Sequence, residues 1–452
     1  MKYKFKNKNV LILGLGKSGE SSLALLSKMG AFCYVYDKNK ALLKNYAGSL
    51  KCNVVSDADD DVMKVMDYVI LSPGFSIFAE EVKLAKLYGV KVLSELELGA
   101  SFVKGKIVGI TGTNGKTTTC SLIDYILKAS KISSVLCGNV GAPITENLLP
   151  FKSNYIVEMS SFQLESAGRL RPSIAAITNI TSNHLDRHIT FNNYMEAKFN
   201  IFKKMSRHDV LVLNHDDKTL RALKSKRIKP KIVWISAKHK IDGYYVNGDK
   251  IWYSHKNKVE QIENISQTKL IGEHNLYNIL IATAVCRELK VKNELIEFGI
   301  STFETLSHRL QFVKNVNGVD YVNDSKSTSP DSTITAINAF YKKPLVLILG
   351  GSDKKASFVR LARKIKQSSN IKLVVVNGNT SQKIIAALRR CGVKNYQKAK
   401  DFLSGLELAT KFAESGDTIL LSPACASFDY FKSFEERGEA FCNYVNSLKS
   451  DT

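Results

Sequence analysis

The stretch Ile107–Thr118, IVGITGTNGKTT, decides the fold of this 452-residue chain. Its apolar start predicts a buried strand over Ile107–Thr111, and the glycine turn leads into a helix predicted from about Lys116. Such a turn is typical of a phosphate-binding loop, because small residues let backbone N–H groups approach phosphate oxygens and the helix N-terminus adds positive charge. Lys116 can reach the β- and γ-phosphates, and Thr117 can ligate Mg²⁺. The spacing departs from the usual pattern, since Ile110 stands where the loop normally begins with glycine.

Strand–turn–helix patterns recur on both sides of this loop and predict three consecutive α/β domains. We expect an N-terminal Rossmann-like domain over 1–94, a central P-loop domain over 95–305 and a C-terminal Rossmann-like domain over 306–452. The central domain should carry a small antiparallel insertion, because the Asn-Gly pair within Tyr244–Tyr253 is typical of a hairpin turn. Further strands are expected at Val10–Leu13, Phe32–Tyr36, Tyr68–Leu71, Tyr155–Val157, Ile174–Ile180, Val319–Asn323, Leu345–Leu349, Leu373–Asn377 and Thr418–Leu421, and a helix at about Asn275–Leu289.

Composition bounds the class of protein. No run of about 18 apolar residues occurs, so we expect neither a membrane span nor a signal peptide. The eight cysteines form no Cys-x-x-Cys pair, which favours a reduced cytoplasmic chain without structural zinc. The net charge of +23, with its densest basic stretch at Arg221–Lys240, is compatible either with nucleic acid as a partner or with a lysine-rich bias on solvated faces.

A second glycine turn, Gly14-Leu-Gly16-Lys-Ser-Gly19, follows the first predicted strand. Asp37 lies 23 residues after Gly14, near the position of the ribose-binding acid in dinucleotide folds. This pattern alone indicates a nicotinamide cofactor. A glycine turn at a helix N-terminus can hold any pyrophosphate, however, so a nucleotide-diphosphate substrate fits equally well.

Polar side chains follow two further buried strands of the central segment. Glu158 ends one of them, where a Mg²⁺–ATP site needs an oxygen ligand. His184 and Arg187 follow the other, at the end of the sheet where α/β proteins bind ligands. His184 could equally be a structural hydrogen bonder, because imidazole prefers softer metals than Mg²⁺. Lys198 lies on a predicted helix and, judged on its own, would be a surface lysine.

Taken together, these pieces resemble the Mur ligase family, the ATP-dependent amino-acid-adding enzymes of peptidoglycan synthesis. The matching motifs of the central segment are Gly112–Thr118 (GTNGKTT), Glu158–Glu165 (EMSSFQLE), Asn179–Arg187 (NITSNHLDR), His274–Asn278 (HNLYN) and, beyond it, His308–Leu310 (HRL). The last third resembles the D-glutamate-adding branch through Asn323–Thr328 (NDSKST), Leu349–Lys354 (LGGSDK), Leu421–Asp429 (LSPACASFD), Phe431, Phe434 and Arg437-Gly438.

The resemblance implies ATP-dependent addition of D-glutamate to UDP-N-acetylmuramoyl-L-alanine through an acyl phosphate. The implied ATP site comprises Gly112, Thr113, Asn114, Gly115, Lys116, Thr117, Thr118, Asn275, Asn278, Arg309, Asp324 and Lys326. The implied UDP-sugar site comprises Leu15, Gly16, Lys17, Ser18, Asp37, Gly74 and Asn139, with Ser160 and Gln163 on the muramoyl-alanine part. D-glutamate would be bound by Thr328, Lys354, Ser427, Phe428 and Phe434.

The same resemblance reverses the interpretation of Lys198, which matches a lysine that the family carbamylates. Lys116, Glu158, His184 and the carbamate of Lys198 would be catalytic, and Thr117, Glu158, His184 and Lys198 would hold two Mg²⁺ ions. The resemblance also leads us to expect a cytoplasmic monomer with no nucleic-acid partner. The chain departs from the family pattern at Lys17, Lys38, Asn183 and Phe428, which affects fine contacts rather than the reaction.

Two rival classes follow from individual features. A nicotinamide-dependent oxidoreductase would explain Gly14–Asp37 but leaves the second phosphate loop without a role, and titration with NADH would detect it. A nucleic-acid-binding ATPase would explain the charge of +23, although few aromatic residues accompany Arg221–Lys240. RNA-stimulated ATP hydrolysis without a muramoyl substrate would support that rival.

Overall fold

The computed structural model describes residues 3–139, 141–181, 183–256, 258–270, 272–304, 307–341, 343–353 and 356–449. It is a mixed α/β protein with three sheets. The chain forms two compact units. The first unit contains Met1–Thr268 and Asn275–Phe303, and therefore the first two sheets; the second contains Lys269–His274 and Glu304–Thr452.

The first sheet has five parallel strands in the order β3-β2-β1-β4-β5. The chain therefore reverses direction across the sheet between β1 and β4, and the carboxyl ends of these neighbours create the crevice where such folds bind ligands. The elements are β1 (Asn9–Leu13), α1 (Lys17–Lys28), β2 (Phe32–Tyr36), α2 (Lys40–Leu43), β3 (Asn53–Val54), α3 (Asp60–Lys64), β4 (Tyr68–Leu71), α4 (Glu80–Leu87), β5 (Lys91–Ser94) and α5 (Glu95–Ala100).

The second sheet has nine strands in the order β14-β13-β12-β11-β10-β9-β6-β8-β7. Strand β6 lies between β8 and β9, so the loop after β6 opens at a second crevice. The elements are β6 (Gly105–Thr111), α6 (Lys116–Ala129), β7 (Ser134–Gly138), β8 (Ser153–Glu158), α7 (Ser161–Glu165), β9 (Ile174–Ile177), α8 (Leu185–His188), α9 (Phe191–Lys203), β10 (Val210–Asn214), α10 (Lys218–Arg221), β11 (Lys231–Ser236), β12 (Gly243–Asn247), β13 (Lys250–His255), β14 (Lys258–Asn264), α11 (Glu273–Glu288) and α12 (Asn293–Thr302).

The third sheet has six strands in the order β15-β16-β20-β17-β18-β19, and among its described strands only the β15–β16 pair is antiparallel. The elements are β15 (Gln311–Val316), β16 (Val319–Asn323), α13 (Pro330–Ala339), β17 (Leu345–Gly350), α14 (Val359–Gln367), β18 (Ile371–Asn377), α15 (Ser381–Arg390), β19 (Tyr396–Lys398), α16 (Phe402–Phe412), β20 (Thr418–Leu421) and α17 (Phe434–Ser447).

The central strands of all three sheets are buried on both faces, which is why they are continuous apolar runs in the sequence. The predicted strands Phe32–Tyr36, Tyr68–Leu71 and Thr418–Leu421 are confirmed residue for residue. The predicted strand Ile174–Ile180 is wrong at its end, since β9 stops at Ile177. It stops because the next residues serve the phosphate loop: the carbonyl of Asn179 accepts from the backbone N–H of Thr113 at 2.9 Å.

The predicted hairpin is confirmed, with β12 and β13 antiparallel around Asn247-Gly248. It belongs to the main sheet, because β12 pairs in parallel with β11 and β14 continues the antiparallel edge. Among the described residues, no helix is both long and apolar enough to cross a membrane.

Candidate active site

The loop after β6 is closed by its own polar contacts. Gly112 and Gly115 have φ of +145° and +84°, conformations that favour glycine, and a Cβ on Gly112 would overlap the hydroxyl of Thr178. The amide oxygen of Asn179 accepts from the backbone N–H of Asn114 at 3.0 Å. The Lys116 ammonium donates to the carbonyls of Gly112 (3.0 Å) and Thr113 (2.9 Å). The loop is therefore a preformed turn, and the Lys116 side chain folds back over it at the N-terminus of α6.

Helix α11 supplies the opposite side of this loop. Asn275 and Asn278 are buried there, and the Asn278 amide donates to Asn275 at 2.7 Å. The Thr119 hydroxyl donates to Asn278 at 3.1 Å, and a Cβ on Gly115 would collide with the Asn278 amide oxygen. Both predicted ATP-site asparagines of this helix thus lie beside the loop that sequence analysis predicts to bind phosphate.

Glu158 ends β8 with 1% of its surface exposed. One carboxylate oxygen accepts from the Asn139 amide at 2.8 Å. The other is buried and has no hydrogen-bond partner among the described residues. Because an unpartnered buried carboxylate oxygen is costly, this oxygen is available to a cation.

Lys198 is buried, with 2% of its surface exposed, so the surface position that its helix alone suggests is wrong. Its ammonium donates to the Gly112 carbonyl at 2.8 Å. Burial, with a smaller contribution from the charge of Lys116, holds the pKa of Lys198 well below its usual value, and the carboxylate of Glu158 opposes this shift. The lowered pKa makes this nitrogen easier to deprotonate than an ordinary lysine, and the unprotonated amine is its nucleophilic form.

Tyr194 lies near both Lys198 and His184, the histidine that precedes α9 in the chain. The Lys198 nitrogen lies 4.8 Å from the centre of the Tyr194 ring, and the His184 ring centre lies 6.5 Å from it. The Tyr194 hydroxyl is 3.0 Å from the Thr113 hydroxyl in the phosphate loop. Tyr194 carries no local sequence signal, because its role depends on contacts between distant segments. His184 itself is exposed and has a φ of +52°.

The first unit therefore gathers Lys116, Glu158, His184 and Lys198 around one crevice, with Thr117 buried at the start of α6. Among the described residues, no three His, Cys, Asp or Glu side chains cluster as metal ligands. Only two members of the predicted Mg²⁺ set, Glu158 and His184, are residues of those types. The set is complete only if the Thr117 hydroxyl and a modified Lys198 supply the remaining oxygen atoms.

The first sheet carries a separate cavity of about 450 Å³ at its β1/β4 crevice. It is lined by Gly14, Gly16, Lys17, Ser18, Asp37, Lys38 and Ser72–Phe75, which include five predicted UDP-site residues: Gly16, Lys17, Ser18, Asp37 and Gly74. The Leu15 side chain is in the core, and its backbone N–H donates to Asp37 at 2.7 Å. The Ser72 hydroxyl, which sequence analysis missed, holds the turn through the Gly14 carbonyl at 2.7 Å.

Three predicted substrate residues, Asn139, Ser160 and Gln163, follow strands of the second sheet and are not among the residues that line this cavity. Asn139 binds Glu158, as described above. Ser160 and Gln163 form a reciprocal cap at the start of α7, where the Gln163 N–H donates to the Ser160 hydroxyl at 3.2 Å and the Ser160 N–H donates to the Gln163 side chain at 2.9 Å. Their side chains therefore stabilise the helix that begins directly after the strand of Glu158.

The second unit holds the remaining predicted ATP residues. Asp324 is buried, accepts from the Ser422 hydroxyl at 2.7 Å, and has a pKa raised by burial to about 6. The charge of Arg309 is close enough to oppose this shift. The Lys326 ammonium lies 5.4 Å from the centre of the Phe434 ring. Arg309 thus lies near Asp324, and Lys326 lies near Phe434.

The predicted D-glutamate residues differ in their surroundings. Ser427 is buried, Thr328 and Phe434 are partly buried, and Phe428 is 71% exposed. Lys354 lies outside the described residues. Arg437 organises this region, since its guanidinium donates to the carbonyls of Ser325 (2.8 Å) and Cys425 (3.1 Å). The Arg437-Gly438 motif does not by itself indicate this role.

The fold and the loop after β6 define a P-loop α/β protein whose central sheet is accompanied by two further parallel-dominated sheets. Three family models match this chain: "Mur ligase MurD-like, N-terminal domain" over 8–94, "Mur ligase middle domain" over 110–286 and "Mur ligase, glutamate ligase domain" over 308–425. The chain belongs to the Mur ligase family, whose members are ATP-dependent.

Relatives of the same length support this assignment. The chain is 36% identical to the UDP-N-acetylmuramoylalanine–D-glutamate ligase of Lachnoclostridium phytofermentans, covering 99% of this chain and 100% of the relative. It is 38% identical to the ligase of that name from Clostridioides difficile, covering 98% and 99%. Among solved structures, the MurF ligase of Thermotoga maritima in complex with ADP matches with a TM-score of 0.61 at 17% identity, covering 98% of this chain and 96% of that one, which shows a shared fold.

Proposed function

We propose that this chain uses ATP to join D-glutamate to UDP-N-acetylmuramoyl-L-alanine, in the cytoplasm and as a monomer, for peptidoglycan synthesis. The observation that carries this proposal is the full-length identity of 36–38% to relatives named for that activity. The two crevices of the first unit support it, because the reaction needs one site for a sugar nucleotide and one for a triphosphate. The domain roles proposed are UDP-sugar binding for 1–94, ATP binding for 95–305 and amino-acid binding for 306–452.

A carboxylate does not react unaided with an amine, because oxide is a very poor leaving group. The alanine carboxylate of the substrate therefore attacks the γ-phosphorus of ATP, giving an acyl phosphate and ADP. The amine of D-glutamate then attacks the acyl carbon, the carbon–oxygen bond to phosphate breaks, and the amine proton is lost. Positioning and charge neutralisation supply most of the rate enhancement in such a reaction.

The side chains at the phosphate loop have distinct parts in this scheme. Lys116 leaves the carbonyls of Gly112 and Thr113 and neutralises the β- and γ-phosphate oxygens. The N-terminal turn of α6 offers backbone N–H groups and a positive dipole end to the same oxygens. Asn275 and Asn278, behind the loop, orient the nucleotide.

The donor set at the crevice fits Mg²⁺, since Glu158 has one buried oxygen without a partner and Lys198 lies beside it as an amine of lowered pKa. The Lys198 nitrogen adds to carbon dioxide and loses a proton, and the resulting carbamate supplies anionic oxygen atoms. Thr117, Glu158, His184 and this carbamate would hold two Mg²⁺ ions. When bound, Mg²⁺ would neutralise negative charge on the phosphate oxygens.

The cavity at the β1/β4 crevice is the proposed site for the uridine diphosphate, with Lys17 and Lys38 as its cations. Asn139, Ser160 and Gln163 would contact the muramoyl-alanine part, next to Glu158. Arg309, Asp324 and Lys326 would complete the ATP site, and Thr328, Lys354, Ser427, Phe428 and Phe434 would bind D-glutamate.

A phosphate-release screen tests the proposal. The purified chain is supplied with ATP, Mg²⁺, UDP-N-acetylmuramoyl-L-alanine and each D- and L-amino acid in turn. We expect release with D-glutamate and none when the sugar nucleotide is omitted. Equal release with L-glutamate, or release that needs no sugar nucleotide, contradicts the proposal.

A further inference from the structure

Glu165 and Arg187 belong to the two motifs of the central segment that carry Glu158 and His184, yet the reaction scheme gives neither of them a role. The structure pairs them. One Glu165 carboxylate oxygen accepts from Nη2 of Arg187 at 2.8 Å and from Nε at 3.3 Å. Their side chains are only 10% and 18% exposed, so this ion pair is mostly removed from water. Such charge-assisted bonds are directional and hold a guanidinium in one orientation.

The same guanidinium makes two further contacts. Nη2 of Arg187 also donates to the backbone carbonyl of Phe75 at 3.1 Å. The guanidinium carbon lies 4.4 Å from the centre of the Phe162 ring. A lysine could not make these contacts together, because an ammonium lacks the planar fork that binds and stacks at once.

The Phe75 carbonyl belongs to the wall of the sugar-nucleotide cavity. Phe75 is buried, packs against Tyr36 with ring centres 6.2 Å apart, and lines the cavity next to Gly74. The Lys38 ammonium, which also lines the cavity, lies 5.1 Å from the centre of the Phe75 ring. Arg187, in the short helix α8 that follows β9 of the second sheet, therefore holds the segment that forms one wall of the cavity at the first sheet.

Glu165 and Arg187 also lie close to residues of the phosphate-loop crevice. Glu165 ends α7, the helix capped by Ser160 and Gln163. Arg187 lies in α8, the short helix that follows His184. The Phe162 ring, which stacks on Arg187, is also 5.0 Å from the His184 ring, centre to centre. The Arg187 side chain thus contacts the cavity wall at the Phe75 carbonyl and helix α7 at Glu165 and Phe162. Arg187 itself lies in α8, which begins directly after His184.

We propose that Arg187, oriented by Glu165, is a positioning residue that sets the sugar-nucleotide cavity relative to the phosphate-loop crevice. This inference rests on the proposed function, since it assigns how the substrate's alanine carboxylate is placed for attack on ATP. A displacement of about 1 Å at a reacting carboxylate can cost roughly 100-fold in rate. Loss of this contact is therefore expected to lower kcat and to weaken binding of the sugar nucleotide, and to leave the affinity for ATP unchanged.

The test compares Arg187→Lys with Arg171→Lys. Arg171 is a matched control because it also pairs with a carboxylate, Asp209, at 2.9 Å, and bonds Ser206. For Arg187→Lys we expect the KM of UDP-N-acetylmuramoyl-L-alanine to rise roughly 10- to 100-fold, as for loss of a hydrogen bond to a charged group. The KM of ATP should stay within about twofold of wild type, and Arg171→Lys should change neither constant.

Direct binding separates this inference from the proposed function. Calorimetry of UDP-N-acetylmuramoyl-L-alanine should show the weakened affinity in Arg187→Ala and its partial recovery with added guanidinium ion, which a general loss of folding would not show. Glu165→Gln, which keeps an acceptor, should weaken the same affinity less and serves as the test if Arg187→Ala does not fold. A wild-type protein that binds the sugar nucleotide without ligating D-glutamate would contradict the proposed function alone. If Arg187→Lys and Arg171→Lys bind UDP-N-acetylmuramoyl-L-alanine with equal affinity, the positioning role of Arg187 is overturned.

Discussion

At the scale of single residues, two lysines share one acceptor. The ammonium groups of Lys116 and Lys198 both donate to the Gly112 carbonyl, at 3.0 and 2.8 Å. Two cations so close repel each other, and the more buried one, Lys198, has its pKa lowered most strongly by burial. We therefore assign Lys116 to the charge of the phosphates and Lys198, whose pKa is lowered, to modification.

Replacing Lys116 tests the first of these roles. Lys116→Ala should lower kcat by roughly 10²–10³-fold, because a preorganised donor to developing phosphate charge is lost. A coupled assay of ADP release, dependent on both other substrates, measures this. The control is Lys128→Ala, which removes an exposed lysine of the same helix that pairs with Asp124. Turnover of Lys116→Ala close to that of the control would contradict the role.

Replacing Lys198 tests the second role. Lys198→Ala should abolish ligation, and acetate or formate should restore part of it, because a small carboxylate can occupy the space of the lost carbamate. Lys203→Ala, at the exposed end of the same helix, is the control and should keep full activity. Full activity of Lys198→Ala without any added carboxylate would show that the residue has no part in the reaction.

At the scale of elements, α1 approaches the turn after β1 so closely that only glycine fits at one position. A Cβ on Gly19 would overlap the carbonyl oxygen of Gly14 and lie 3.1 Å from the Ser72 hydroxyl. By contrast, a Cβ on Gly16 would have no atom within 4 Å, and Gly16 has a φ of −73° that any residue adopts. The third glycine of the motif is thus required for packing between helix and turn.

This contrast predicts different stabilities for two alanine variants. Gly19→Ala should lose about 1–3 kcal/mol of unfolding free energy, as expected for overpacking, and should bind the sugar nucleotide poorly. Gly16→Ala should stay within about 0.5 kcal/mol of wild type. Urea unfolding measures both free energies. Equal losses in the two variants would show that the helix does not pack against the turn as described.

The contact between β14 and α11 contains a buried acid. Glu263 is 1% exposed, accepts a hydrogen bond from the Thr283 hydroxyl, and has a second carboxylate oxygen without a partner among the described residues. Burial raises the pKa of Glu263 to about 8. The folded state therefore holds this carboxyl protonated at pH values where the unfolded chain has released the proton.

The sign of the resulting pH dependence is fixed by that difference. The contribution of Glu263 to stability is fully present below the ordinary pKa of 4.5 and is lost as the pH rises through about 8. Glu263→Gln should remove this dependence and be more stable than wild type above about pH 8. Urea midpoints followed by fluorescence of Trp234 and Trp252, both in the same sheet, measure it. Parallel pH profiles of the two proteins would contradict a buried neutral carboxyl.

At the scale of the whole molecule, the three-sheet architecture could be predicted because each sheet contains central strands that are continuous, buried apolar runs. Runs such as Val10–Leu13 and Leu345–Leu349 need no knowledge of distant partners. The end of β9 could not be predicted, because Asn179 is held by hydrogen bonds to a loop more than sixty residues earlier in the chain.

The same limit applies to the candidate site. The loop of Lys116 and the strand-end position of Glu158 follow from local patterns, and the structure places both at one crevice. The contacts of Arg187 with Phe75 and of Arg437 with Cys425 join segments that no local pattern connects. Lys198 was placed in the site only through resemblance, since its burial depends on how α9 packs against β6 and the phosphate loop.

The central claim is that the chain activates the alanine carboxylate of UDP-N-acetylmuramoyl-L-alanine as an acyl phosphate before D-glutamate attacks. The most direct measurement supplies this substrate with ¹⁸O in that carboxylate and analyses the released phosphate by mass spectrometry. Attack of the carboxylate on ATP followed by loss of phosphate predicts transfer of one ¹⁸O atom to each phosphate formed. Unlabelled phosphate, formed together with the amide product, would contradict the account.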